Sequence, residues 1–68
     1  MKLTEYQNSL LYMLKTMSDN GEITEEEIIC VFLALKTDES VKEMVDYMLK
    51  NPNITSSEIL EKIAENPS

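Results

Sequence analysis

The stretch Ile23-Thr24-Glu25-Glu26-Glu27-Ile28-Ile29-Cys30-Val31-Phe32-Leu33-Ala34-Leu35 decides the fold. Its last eight residues are all apolar, and Ile28, Ile29 and Val31 are β-branched, so by themselves they could form a buried strand. The residues in front of them select a helix. Thr24 stands at an N-cap, Glu27 follows three positions later, and Ile23 and Ile28 bracket the pair, which is a capping box combined with a hydrophobic staple. Glu25, Glu26 and Glu27 fall in the first turn, where the positive end of the helix dipole favours carboxylates. No other run in the chain reads as a strand to pair with it. A helix over about 24–36 is therefore predicted, and being apolar all round it is expected at the centre, covered by the other elements. Phe32 and Cys30 then read as packing residues, with desolvation keeping the thiol inert.

Three further helices are legible around it. Leu3, Tyr6, Leu10, Met13 and Met17 step by three and four, Leu14 widens the stripe, and Thr4 with Gln7 has capping-box spacing, which predicts a helix over about 4–18. Gly21, the only glycine, follows Ser18-Asp19-Asn20, where a left-handed residue would end that helix. Val41, Met44, Val45, Met48 and Leu49 form the cleanest stripe, over about 39–50, and Pro52 disfavours helical geometry at Asn51. Ile54, Thr55, Glu58 and Ile59 repeat in type and order Ile23, Thr24, Glu27 and Ile28, which starts a helix over about 55–65 with Ile59, Leu60, Ile63 and Ala64 as its short apolar face. The repeat reads as one capping solution used twice. The expected architecture is all-α, a compact bundle of four short helices in a single domain, 1–68.

Composition narrows the function classes. The 68 residues carry 13 acids against 6 lysines, a net charge of −7, with no arginine and no histidine. Neutralising phosphates needs Lys and Arg, so nucleic acid is an unlikely partner and a basic protein a better one. One cysteine excludes an internal disulfide and cannot make a zinc site. No targeting segment is evident, and the longest apolar run is far short of the ~20 residues that span a bilayer. A free cysteine suits the reducing cytoplasm, where the protein is expected.

Candidate sites follow from the same residues. Counting Gly21 as position 6 of a calcium loop puts Thr16 at 1, Ser18 at 3, Asn20 at 5 and Glu27 at 12, but Asp is missing at position 1 and only one formal charge would reach the ion. A helix stop followed by a capping box explains Gly21, Thr24 and Glu27 fully, so no metal or other cofactor is expected. Catalysis is not expected either: no Ser or Cys has an evident base, and the carboxylates at 25–27 lack an apolar pocket to raise a pKa. Asp19, Glu22, Glu25, Glu26 and Glu27 put five acids in nine residues, either a solvated helix start or a docking patch for a basic surface. Met13, Met17, Met44 and Met48 read as core filler, with an adaptable binding groove as the alternative.

Leu10-Leu11-x-Met13-Leu14, then Ile23 to Ile29, then Thr37-Asp38-Glu39-Ser40-Val41 resemble the three-helix part of winged-helix regulators over Leu10 to Lys50. That resemblance implies a helix-turn-helix and a recognition helix at 39–50. The chain departs from the pattern there, presenting Asp38, Glu39, Glu43 and Asp46 against Lys42 and Lys50, with no wing to follow. DNA binding is expected to be weak or lost. The expected function is a non-catalytic acidic interaction module, an adaptor or inhibitor of a basic protein, with a size, acidity and lack of arginine compatible with a phage or mobile-element origin. The alternative is a degenerate helix-turn-helix regulator. Because four apolar residues of the last helix are thin cover for the second, a homodimer is also expected.

Overall fold

A computed structural model describes residues 4–65 and contains four α-helices: α1 (Glu5–Asp19), α2 (Glu25–Ala34), α3 (Asp38–Lys50) and α4 (Ser56–Glu65). No strand occurs among the described residues. Leu3, on the predicted stripe of the first helix, lies outside them. The radius of gyration is 10.9 Å, matching the value of about 11 Å that a folded chain of this length should have.

Each helix start is fixed by a threonine. Gln7 N–H donates to Thr4 Oγ1 at 3.2 Å while Thr4 N–H donates to the Gln7 side chain at 2.9 Å. Thr24 and Glu27 repeat the exchange at 3.1 and 2.9 Å, and Thr55 with Glu58 at 3.2 and 3.4 Å. Thr37 Oγ1 accepts from Ser40 N–H at 3.0 Å, so α3 begins at Asp38, one residue earlier than its stripe suggests. Ile23 and Ile54, the residues before two of these caps, are both buried, so the staples hold the incoming chain against the core.

The end of α1 is a Schellman motif. Glu22 N–H donates to Met17 O at 2.8 Å and Gly21 N–H to Ser18 O at 3.0 Å, with Gly21 at φ 74°. Nothing lies within 4 Å of a Cβ built on Gly21. Gly21→Ala should therefore cost about 1 kcal/mol through backbone strain alone. Gly21→Asn should cost less, since Asn tolerates this region. Thermal melts of the two variants measure the difference, and equal losses would point to a steric cause instead.

The core corrects three sequence expectations: the place of α2, the burial of Cys30, and the inward stripe positions of Leu49 and Ala64. α1 packs chiefly on α3, α2 on α4, and α1 less extensively on α2. Leu10, Leu14, Val31, Val41 and Ile59 are essentially inaccessible, joined by Met17, Met44, Val45, Met48, Ile23 and Ile54. The centre is thus the seam between α1 and α3. Helix α2 is not central. Only Val31 of α2 is buried, Ile28, Phe32, Ala34 and Leu35 are half-buried, and Ile29, Cys30 and Leu33 are exposed. The physical reason is geometric: the two longest stripes satisfy one another, and α2 is left with the ten-residue α4 and a smaller contact from α1, which together cover one side of it only. Cys30 is therefore exposed, against the expectation of a buried thiol. Leu49 and Ala64 are also exposed, although their spacing placed them on the inner stripes. Lys62 Nζ lies 4.6 Å from the Tyr47 ring centroid, a cation–π contact tying α4 to α3.

Candidate functional site

The acidic residues read from the sequence lie along the turn between α1 and α2. Asp19 ends α1, Glu22 follows Gly21, and Glu25 and Glu26 open α2; these four are exposed. Glu27 is half-buried and its carboxylate accepts from Thr24 N–H, so it belongs to the cap. The dipole explains Glu25 and Glu26 as well. It does not explain Asp19, which sits at the negative end of α1 with no basic residue in that last turn. A carboxylate there costs stability, and residues that break a local rule tend to belong to sites.

The loop required for calcium is not formed. Thr16 and Ser18 lie inside α1, where Thr16 Oγ1 donates to Tyr12 O at 3.0 Å, so neither can turn around an ion. Among the described residues, no three His, Cys, Asp or Glu side chains come together as a metal site. No buried side chain among them is polar or charged.

Two apolar surfaces stand open. The first is a groove along α1 and α3, walled by Tyr12, Met13, Met17, Met48 and Leu49, with Glu22 and Asn20 at one end. A second depression adjoins it, sharing Tyr12, Met13 and Leu49 and reaching Asn8 and Val45. Tyr12 is 74% exposed and Leu49 67%. Met17 and Met48 are buried in the core and Met13 is half-buried against it, and all three also line this groove. Spacing gave no signal for Tyr12, which lies off the α1 stripe. Its exposure beside Leu49 depends on how α1 meets α3. The second surface is on α2, where a shallow depression is lined only by Leu11, Ile28, Ile29, Phe32 and Leu33.

On α3, the side away from the core carries Asp38, Glu39, Lys42, Glu43, Asp46 and Lys50, all exposed. Four acids against two lysines give this face a net negative charge. No helix among the described residues is long and apolar enough to cross a membrane. Comparison with protein-family models, with curated proteins and with solved structures gives no match to this chain.

Proposed function

We propose that this protein is a non-catalytic interaction module of the cytoplasm that engages a basic protein through the acid-ended groove between α1 and α3. The observation that carries this reading is the pairing of exposed apolar walls, Tyr12 and Leu49, with Glu22 at the groove's end and Asp19 nearby in sequence. A methionine floor adapts its shape to an inserted side chain at low cost. The flanking carboxylates favour a lysine- or arginine-rich segment and speed its encounter. Inhibition by covering a basic surface fits the same chemistry.

Charge reversal tests the reading. Asp19→Lys, Glu22→Lys and Glu25→Lys combined alter three exposed side chains and leave Glu26 and the Thr24–Glu27 cap in place. Proteins captured from the native cell by the immobilised wild type should elute as salt is raised, and should be lost from the variant. Capture that survives the reversal makes the acids a solvated helix start. Retention of the wild type on heparin at low salt would favour the regulator instead.

A further inference from the structure

The exposed side of α2 has a pattern that the groove does not use. Ile29 is 58% exposed and Leu33 71%. Glu26, Ile29 and Leu33 follow the spacing i, i+3, i+7, which lines them along one helix face, on the far side from buried Val31. Lys36, also exposed, lies just past the C-terminal end of the helix. The strip is therefore negative at its N-terminal end and apolar in the middle, and the chain leaving it, extended at Leu35, carries the positive Lys36 just beyond the other end.

A strip of that kind complements a second copy of itself in one orientation. When two α2 helices run antiparallel about a two-fold axis level with Val31, Ile29 of each copy meets Leu33 of the other. Glu26 of each then meets Lys36. The helix dipoles also oppose, which is favourable. A parallel pair would set Glu25 and Glu26 against their own counterparts and align the dipoles. Self-complementary patches of this form build closed two-fold dimers, in which every contact is made twice. We infer that the protein forms a homodimer through an antiparallel α2 pair, with Leu33 on Ile29 and Glu26 on Lys36 across the seam.

This inference rests on the reading of the protein as an interaction module, but it does not involve Tyr12, Leu49 or Glu22. Cys30 is exposed beside the seam. In the antiparallel pair both Cys30 thiols flank the same side of it, with helix axes about 8–10 Å apart. In a parallel pair they fall on opposite sides. Each copy carries a net charge of −7, so long-range repulsion opposes association and added salt relieves it. Groove binding to a basic partner has the reverse salt dependence.

Sedimentation equilibrium of the full chain, from low micromolar to millimolar concentration, tests the dimer. The apparent mass should rise from 7.8 kDa towards twice that value, and should rise further at a given concentration when salt is added. Leu33→Glu should raise the dissociation constant at least about tenfold with unchanged helical circular dichroism. Glu26→Lys should weaken association, and Lys36→Glu added to it should restore it. A short bismaleimide should join Cys30 to Cys30 in the wild type and not in the Leu33→Glu variant. A monomeric mass at every concentration, or a dimer untouched by Leu33→Glu, overturns the inference. Failure of the charge swap to restore association overturns the antiparallel register. A monomeric wild type whose protein capture still depends on Asp19, Glu22 and Glu25 sinks the dimer alone. A dimer whose capture ignores those acids sinks the groove reading alone.

Discussion

Val31→Asp is expected to unfold the protein, while Leu33→Glu, two residues along the same apolar run, should leave the folded monomer almost as stable as before. Val31 is fully inaccessible and none of its neighbours in the core is polar, so an introduced carboxylate has no partner. Burying one costs several kcal/mol. The whole domain has roughly 3–10 kcal/mol of stability at this length, so the folded state should lose its majority. Leu33 is already 71% exposed, and substitutions at such sites stay within about 0.5 kcal/mol. A carboxylate in the last turn of α2 adds up to about 1 kcal/mol through the helix dipole, well short of the loss at Val31. Far-UV circular dichroism in dilute solution reads both. If both variants unfold, α2 is enclosed after all; if both stay folded, Val31 is not a core residue.

The second large effect is expected at the seam between α1 and α3. Leu14→Ala removes most of a fully inaccessible side chain and leaves a cavity, which costs about 2–5 kcal/mol. For a domain of this size each kcal/mol lowers the melting temperature by about 4–8 °C, so a fall of at least about 10 °C is expected. Leu49→Ala on α3 is the control, since Leu49 lies mostly in solvent. Similar falls for the two would place the core elsewhere.

The elements themselves were legible because their ends are local chemistry. Thr24 with Glu27, and Thr55 with Glu58, make in the structure the bonds their spacing calls for. Gly21 adopts the left-handed turn that its position demands. The arrangement of the elements was less legible. The eight apolar residues from Ile28 to Leu35 say how much of α2 can be buried, and nothing about how much will be. That depends on which neighbour is long enough to cover it, and α3 is engaged with α1. The same reason hid the groove: Tyr12 and Leu49 are on different helices, and only their packing brings them to one surface. The acids were visible at once, and spacing already put Glu27 in the cap, where Thr24 N–H donates to its carboxylate. Only the structure extends α1 to Asp19 and so sets that carboxylate against the dipole.

Four threonines, Thr4, Thr24, Thr37 and Thr55, mark where the helices start, and this bears on why the chain has one native state. Methionine contributes Met17, Met44 and Met48 to the core, and its flexible side chain fits many arrangements nearly equally well. Such an interior lowers the energy of correct and shifted packings alike. The caps do not. Starting a helix one residue earlier or later along the chain forfeits its threonine's bonds, so each competitor with displaced helix ends is penalised there even where the interior would tolerate it. In this chain the interior supplies the drive to collapse, and the helix edges fix where along the sequence each helix begins.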